Sequence, residues 1–202
     1  MRLLSGIPGI TNAKLKILPK YVENLTKEQF DSLTLESQLS IKYIKSRYTR
    51  DEITQAIDDI LIKLIPGNIP WEVCGSYRRE TETCKDIDVL IMADRSDIDL
   101  DDIEYIVRNG SKRVKLITYS ESINIYVPID IYFSSKESWN FSLLHLTGSK
   151  AFNIRMRKQA IRMNMKLNEY NLTKDGKEIP GLTSEKHIIK FLLGKYIHPR
   201  NR

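Results

Sequence analysis

The sequence has two cysteines and no long apolar segment, and these shortages narrow the classes of protein it can belong to. Cys74 and Cys84 form neither a CxxC pair nor a cluster with histidine, which argues against a structural zinc site and a disulfide framework. The run Ile60–Ile65 contains a lysine and ends at Pro66, well short of the roughly 20 apolar residues that span a bilayer. No signal-peptide pattern opens the chain. We therefore expect an intracellular protein, nuclear or cytoplasmic and not secreted, with free thiols and no membrane partner.

The composition is that of a folded protein with a basic surface. Hydrophobic residues make up 41% of the chain and charged residues 29%, which excludes a disordered chain. The net charge of +6, from 32 basic and 26 acidic residues, suits a nucleic acid or an anionic membrane surface. Many basic proteins bind neither, so charge alone does not decide the function. A length of 202 residues allows one or two domains with a buried core.

Hydrophobic periodicity changes twice along the chain and predicts an α+β protein with three parts. Residues 1–70 show helical spacing, and Thr26 and Thr49 each precede a Gln or Glu at the third position, as in a helix capping box. Residues 71–134 alternate like strands, and residues 135–202 return to helical spacing. The elements predicted in these last two parts are strands at 71–74, 87–91, 114–117 and 129–133 and helices at 97–107, 149–163 and 184–193.

Three aspartates fall on two of the predicted strands. Side chains alternate along a strand, so Asp86 and Asp88 share one face while Ile87 points into the core. Asp130 lies in the same way on its own strand. If the two strands are neighbours, three carboxylates meet on one surface, where oxygen ligands favour Mg²⁺ or Mn²⁺ and two ions can support phosphoryl transfer. The alternative is a solvated strand face, on which Asp-x-Asp pairs are common.

The residues before the aspartate pair favour the metal-site interpretation. Gly75 and Ser76 form a tight turn at the end of a strand, and Arg78 and Arg79 follow. A glycine lets backbone N–H groups approach a polyphosphate, and a serine hydroxyl with an arginine can hold its terminal oxygens. A Gly-Ser turn, an Asp-x-Asp pair and a distant strand aspartate are together far more specific than any of the three alone.

These motifs resemble those of the family X DNA polymerases, the DNA polymerase beta group. Val73–Arg79 with Asp86–Leu90 is similar to the palm motif of that family, Leu4–Leu15 to its helix–hairpin–helix, and Arg47–Glu52 to the basic segment before the palm. A second set of segments is similar to the nucleotide-binding thumb of that family: Leu146–Ser149, Phe152–Asn153, Met156–Arg157, Ala160 and Leu167–Tyr170. The resemblance implies an α+β fold with a helical helix–hairpin–helix DNA-binding part (1–70), a mixed-sheet nucleotidyltransferase palm (71–134) and a small α+β thumb-like part (135–202).

The resemblance also implies a role for each motif residue. Asp86 and Asp88 are expected to bridge two Mg²⁺ ions, with Mn²⁺ as an alternative, and Asp130 to hold only the catalytic ion. The expected nucleotide-binding residues are Gly75, Ser76, Arg79, Arg47, His145, Thr147, Gly148 and Asn153. The expected DNA-binding residues are Gly6, Gly9, Arg157, Glu169 and Tyr170.

The sequence departs from the family pattern at four positions, one of which is Thr11, where the family often has another glycine. His145 stands where the family often has one member of an aromatic pair, Lys85 stands where a glycine is frequent, and Tyr132 replaces an arginine found in some members. A switching role at position 132 is therefore not carried over. The register of the hairpin is open between Gly6 and Gly9. The resemblance starts at the hairpin, so the amino-terminal lyase domain of larger relatives is expected to be absent, together with abasic-site lyase activity.

The resemblance thus predicts a monomeric DNA-directed DNA polymerase. It would add nucleotides from deoxynucleoside triphosphates to gapped or primed duplex DNA, filling short gaps during base excision repair. One alternative is a template-independent or RNA-directed nucleotidyltransferase with the same palm, against which Asn153, Arg157 and the segment 168–170 argue, because that set is typical of templated synthesis. The other is a non-enzymatic DNA-binding module with a degenerate palm, which the presence of all three aspartates, Ser76 and Arg79 disfavours.

Overall fold

The computed structural model describes every residue from Met1 to Arg202 and confirms the α+β fold class. Five strands form a central mixed sheet in the order β2-β4-β7-β6-β5, β1 pairs with β3, and β8 to β10 form a small separate sheet. The four strands predicted in the middle of the chain are all present. The strands are β1 (Tyr48–Thr49), β2 (Trp71–Val73), β3 (Thr83–Cys84), β4 (Ile87–Ile91), β5 (Tyr105–Asn109), β6 (Arg113–Ser120), β7 (Ile125–Phe133), β8 (Lys166–Leu167), β9 (Leu172–Lys174) and β10 (Lys177–Glu178).

The register of the central sheet brings two of the predicted aspartates side by side. β4 and β7 run parallel, and Asp88 lies directly beside Asp130. β6 and β7 run antiparallel, which places Lys115 opposite Asp130 and Arg113 opposite Tyr132. The isoleucines and valines that alternate with the aspartates are fully buried, so the carboxylates share the other face of the sheet.

The helices confirm most of the sequence signals. Capping boxes are present at Thr26 and Thr49, Ser149 caps α8, and α9 ends at Gly194 in the left-handed conformation. A π-helical turn over Ile57–Leu61 joins α4 to α5. The α-helices are α1 (Asn12–Leu15), α2 (Lys27–Asp31), α3 (Leu35–Lys42), α4 (Arg50–Ala56), α5 (Ile62–Leu64), α6 (Gly75–Arg78), α7 (Trp139–Thr147), α8 (Lys150–Arg162) and α9 (Glu185–Leu193), and 3₁₀ turns lie at Leu4–Gly6, Val22–Asn24, Arg95–Asp97 and Pro199–Asn201.

Two large hydrophobic cores and a small cluster of Leu39, Ile44 and Ile117 support the molecule. The larger core packs the α4–α5 helix, through residues such as Ile53 and Leu61, against the buried face of the central sheet. The smaller core is built by α7, α8 and α9 around Phe152, Met156 and Ile188. The α4–α5 helix therefore shares its core with the sheet, while the divisions of the chain at residues 70 and 134 stay predictions. None of the helices combines the length and the apolar character that crossing a membrane requires.

The helix predicted at 97–107 is wrong. A 3₁₀ turn ends at Asp97, and the chain then runs irregularly to the edge strand β5, which pairs antiparallel with β6. Ile98 is buried in the larger core, but Ile106 faces Leu116 across the sheet. The aromatic and β-branched residues 105–107 favour a strand, and pairing with β6 outweighs the helical spacing of the isoleucines.

Gly6 ends the first 3₁₀ turn, and Gly9 lies in the turn between it and α1, so the helix–hairpin–helix stays a prediction. Gly9 has a φ of +78°, and a Cβ on it would lie 2.7 Å from Ser37 Oγ and 2.8 Å from Thr34 Oγ1. Packing against the start of α3 thus requires a glycine at position 9. A Cβ on Gly6 would have no atom within 4 Å, so packing does not require a glycine at position 6.

Candidate active site

A cavity of about 630 Å³ between the two cores gathers most of the predicted site residues. Its wall contains the Gly-Ser turn, the Asp-x-Asp pair and the junction of α7 with α8. Ten of its fourteen lining residues are among those predicted from the sequence: Arg47, Gly75, Ser76, Arg79, Asp86, Asp88, His145, Gly148, Asn153 and Arg157. The other four are Lys85, Leu146, Lys150 and Ile154.

Six predicted residues do not line this cavity. Asp130 and Thr147 are buried, and each accepts hydrogen bonds from an arginine. Glu169 lies next to the cavity residue Arg157, with 3.8 Å between Oε2 and Nη2. The remaining three are exposed residues elsewhere on the surface: Tyr170, Gly6 and Gly9.

The two aspartates of the cavity lie in an environment that disfavours their charge. Burial, with repulsion from the carboxylates of Asp86 and Asp130, raises the pKa of Asp88 to about 7. Burial and the carboxylate of Asp130 likewise raise the pKa of Asp86. The carboxylates are therefore close enough to repel one another in a partly dehydrated place, a cost that a cation between them would remove.

Asp130 bonds to Arg113 of β6, a residue that belongs to none of the sequence motifs. Arg113 donates from Nε to Oδ1 of Asp130 at 3.0 Å, and its Nη2 lies 2.8 Å from the same oxygen in an ion pair. Its guanidinium also stacks on Tyr132, 5.1 Å from the ring centroid. An arginine thus reaches the aspartates from the neighbouring strand, although Tyr132 occupies the position where some relatives carry one. The signal in the sequence would be the strand register, which only the fold supplies.

The chemistry of these residues fits the predicted divalent cations, although their present arrangement is incomplete. No three side chains of His, Cys, Asp or Glu in the structure are grouped so that they could hold a metal ion. Asp86 and Asp88 line the cavity, whereas the carboxylate of Asp130 is bonded to Arg113. The donors are oxygens only, and their buried charges repel one another, which suits a hard cation such as Mg²⁺ or Mn²⁺.

The Gly-Ser turn forms the first turn of α6 and lies against Asp88. Gly75 has a φ of +56°, and a Cβ on it would overlap Oδ2 of Asp88. Ser76 and Arg79 follow on the cavity wall. Arg79 donates from Nη1 to the backbone oxygen of Thr147 at 2.7 Å, which joins the turn to the end of α7. A hydroxyl, an arginine and a carboxylate pair are thereby held in one small volume.

The α8 wall of the cavity is organised around His145. Asn153 donates from Nδ2 to the backbone oxygen of His145 at 2.7 Å, and Arg157 Nη2 lies 3.4 Å from the Nδ1 of His145. Burial lowers the pKa of His145 by more than the carboxylate of Glu169 raises it. The imidazole is therefore neutral near pH 7 and can accept a hydrogen bond from the arginine.

A buried ion network, which no sequence motif indicates, joins α6 to α9. Glu185 accepts from Nη1 and Nη2 of Arg78, at 2.9 and 3.0 Å, and from Nη1 of Arg202 at 2.6 Å. Arg78 also donates to Oγ1 of Thr147 at 2.6 Å. The side chain of Arg202 is fully buried, and that of Glu185 is 7% exposed. The network fixes the helix that carries Ser76 against the smaller core.

Gly75→Ala should weaken divalent-cation binding and destabilise the fold by more than backbone strain alone. Alanine at positive φ costs about 1–2 kcal/mol, and here the new methyl group would also overlap the carboxylate of Asp88. The control is Gly181→Ala, because Gly181 has a φ of +80° but no heavy atom near the added Cβ. Thermal unfolding and Mn²⁺ titration followed by electron paramagnetic resonance measure the two effects. Equal unfolding temperatures and equal Mn²⁺ affinities for the two variants would contradict this role of Gly75.

Two models of protein-family domains match this chain, and each match covers one half of the site. The family model for the DNA polymerase beta palm matches residues 46–118, and the model for the DNA polymerase beta thumb matches residues 142–202. The palm match includes the Gly-Ser turn and the Asp-x-Asp pair, and the thumb match includes α8 and α9.

Curated proteins with similar sequences carry related names. The Repair DNA polymerase X of African swine fever virus, isolate Tick/South Africa/Pretoriuskop Pr4/1996, is 30% identical over 151 residues, which cover 70% of this chain and 85% of the viral protein. The protein of the same name from isolate Tick/Malawi/Lil 20-1/1983 is 28% identical over 164 residues, covering 77% and 92%. The DNA polymerase/3′-5′ exonuclease PolX of Bacillus subtilis is 30% identical over 127 residues, covering 59% of this chain and 22% of that protein.

Proposed function

The chain belongs to family X of the DNA polymerases, and on that premise we propose that it is a monomeric DNA-directed enzyme that fills short gaps during DNA repair by two-metal phosphoryl transfer. The reaction adds a deoxynucleoside monophosphate to a primer 3′-OH and releases pyrophosphate. The cavity of about 630 Å³ carries this proposal, because it sets the Gly-Ser turn and the aspartate pair opposite α8. A nucleoside triphosphate suits that arrangement, with its phosphates toward the turn and its base toward α8.

The triphosphate end of the cavity is rich in cations. Arg47, Arg79 and Lys85 line the cavity on the side of the turn and the aspartate pair, and Lys150 lines it at the start of α8. Arg47 is fixed by donating from Nε and Nη2 to the side-chain and backbone oxygens of Thr83, at 2.5 and 2.9 Å. Phosphoryl transfer depends chiefly on positioning and on neutralising charge, and fixed arginines with a serine hydroxyl supply both.

The carboxylates of Asp86, Asp88 and Asp130 complete the proposed site, because they would hold the metal ions beside the phosphates. When bound, two Mg²⁺ ions supply neutralisation of charge on the attacking and leaving oxygens, and Mn²⁺ is an alternative. Asp86 and Asp88 would hold both ions, and Asp130 would hold the one beside the primer 3′-OH. Arg113 must leave Asp130 for this arrangement. Its side chain is 35% exposed, so it can turn to solvent or to a phosphate of the DNA.

The α8 side supports templated rather than template-independent synthesis. Asn153, which is bonded to a backbone oxygen, would contact the base of the incoming nucleotide. Arg157 and Glu169 are each more than 40% exposed and sit together at the edge of the cavity, where a template strand can reach them. The exposed Tyr170 follows directly in the chain. Thr147 is buried, so the sugar would meet Gly148 rather than the threonine side chain.

Extension of a primer across a one-nucleotide gap, with Mg²⁺ present, tests the proposed reaction. We expect the nucleotide complementary to the template base to be incorporated more than each of the other three. A primer without template separates this reaction from template-independent transfer, and an RNA template separates it from RNA-directed transfer. The double variant Asp86→Asn/Asp88→Asn controls for contaminating polymerase. Equal use of all four nucleotides, or equal extension without a template, would contradict templated synthesis.

A further inference from the structure

A groove between α8 and the end of α9 has no part in the reaction proposed above. It has a volume of about 590 Å³ and is lined by one face of α8, within residues 151–162, and by residues 192–194; we call it the α8–α9 groove. It shares only Ile154 with the cavity of about 630 Å³ that is proposed for the nucleotide. Arg155 in the groove is two residues from both Asn153 and Arg157 of that cavity. Two residues are a rotation of about 200° on a helix, so the groove lies on the opposite side of α8 from the nucleotide.

Three cations of α8 line this groove, and no carboxylate does. Arg155, Lys158 and Arg162 are exposed, and none of them forms an ion pair. They belong to the most basic part of the chain, because residues 142–202 contain 13 Lys and Arg against four Asp and Glu, whereas residues 1–141 contain 19 against 22. Like charges three and four residues apart on a helix repel one another, and an anionic partner would remove that cost.

Apolar side chains lie among these cations. Ile154 is 45% exposed and Ile161, two helical turns further on, is 68% exposed, and Lys158 lies between them on the same side of α8. Leu192 and Leu193 contribute to the wall of the groove from α9. Covering apolar surface contributes about 25 cal/mol per Å², which a row of phosphates does not provide and an apolar helix face does. The mixture of free cations and apolar side chains therefore favours a protein partner over a DNA strand.

We propose that the α8–α9 groove binds an acidic amphipathic helix of a partner protein. Its apolar side chains would lie in the groove, and its Asp and Glu residues would pair with Arg155, Lys158 and Arg162. Amphipathic helices bind grooves in this way through apolar residues at i, i+3, i+4 and i+7. α8 has 13 residues and is about 20 Å long, which a helix of similar length would cover. The inference does not depend on the proposed reaction, because the three cations face away from the nucleotide.

Fluorescence anisotropy of a labelled synthetic peptide, titrated with the full chain, tests the assignment. The peptide is about 14 residues long, the length that matches α8, with leucine at i, i+3, i+4 and i+7 and glutamate among the other positions. A control peptide has the same composition in an order that spreads the leucines around the helix. We expect the first peptide to bind at least about fivefold more tightly than the control, because only the first presents one apolar face.

The double variant Arg155→Met/Lys158→Met should weaken binding of the first peptide about fivefold, since two exposed ion pairs are lost. The matched control is Lys174→Met/Lys177→Met. It makes the same change in net charge at two exposed residues that lie opposite each other on β9 and β10, outside the groove, and should leave peptide binding unchanged. Affinity for a gapped DNA duplex should change by the same factor in both double variants. Thermal unfolding verifies that each variant is folded.

Three results would overturn the proposal. Equal binding of the two peptides would show that the groove attracts negative charge without recognising an amphipathic helix. Equal weakening by the two double variants would show that the overall charge of residues 142–202, and not the groove, binds the peptide. A loss of affinity for the gapped duplex that is confined to Arg155→Met/Lys158→Met would assign the groove to DNA instead. None of these measurements requires nucleotide incorporation, so a failure of gap filling would overturn the proposed function alone.

Discussion

Asp130→Asn should lower the rate of nucleotide incorporation by about 10³-fold or more while leaving affinity for gapped DNA unchanged. The amide keeps an acceptor for Arg113 and the shape of the side chain, but it removes the charge that would hold a cation beside the primer 3′-OH. Losing stabilisation at the attacking oxygen costs several kcal/mol, and about 4 kcal/mol is a factor of about 10³ in rate. Single-turnover incorporation on a one-nucleotide gap measures the effect.

The exposed Asp58, which bonds to no other side chain, provides the matched control for this experiment. Asp58→Asn makes the same chemical change in the π-helical turn of the α4–α5 helix, outside the cavity that Asp86 and Asp88 line, and should retain the original rate. Mn²⁺ titration adds a readout that does not depend on turnover, because Asp130→Asn should bind the ion more weakly. Turnover within tenfold of the unchanged protein would show that Asp130 is not part of the catalytic site.

Glu185→Ala should destabilise the fold by about 3 kcal/mol or more, the usual cost of removing one member of a buried ion network. The change leaves Arg78 and the fully buried Arg202 without their shared carboxylate. At about 2–4 °C per kcal/mol for a chain of this size, the unfolding temperature should fall by at least about 6 °C. Glu121→Ala, at an exposed loop residue, is the control and should shift it little. A shift of similar size in both variants would contradict the role of the network.

The same carboxylate makes part of the stability depend on pH. Burial raises the pKa of Glu185, but hydrogen bonds from Arg78 and Arg202 lower it by more, so the net shift is downward. Because the folded pKa lies below the unfolded value of 4.5, the contribution is fully present above about pH 4.5 and is lost as the pH falls further. Unfolding experiments between pH 3 and 7 should therefore show a smaller loss on acidification in Glu185→Ala than in the unchanged chain.

Features carried by local spacing could be predicted from the sequence. The alternation of aspartate with isoleucine predicts both strands that carry carboxylates, and the pairing of Asp88 with Asp130 follows once the strands are neighbours. The capping residue Ser149 and the left-handed Gly194 mark the limits of their helices. Each of these signals depends on neighbours within a few residues along the chain, which is the range over which a sequence pattern is informative.

Features carried by contacts between distant segments could not be predicted. Arg113 is 17 residues from Asp130, and Arg78 is 107 residues from Glu185, so no motif links either pair. Gly9 shows how a correct local signal can have another cause. Its expected role is a DNA contact, yet packing against Ser37 already requires a glycine there. Gly9→Val would therefore damage the fold and cannot by itself test DNA binding.

The cavity of about 630 Å³ proposed for the nucleotide lies between the two large hydrophobic cores, so a nucleotide bound there would contact both sides and hold them together. The turn and the aspartates belong to the sheet side, while Asn153 and Arg157 belong to α8, so one bound molecule bridges both. A ligand at about 100 times its dissociation constant adds about 2.7 kcal/mol to the state that binds it. Since that state requires both cores, unfolding of either releases the ligand. Calorimetry should therefore show the two cores melting in closer coincidence when nucleotide is bound than when it is not.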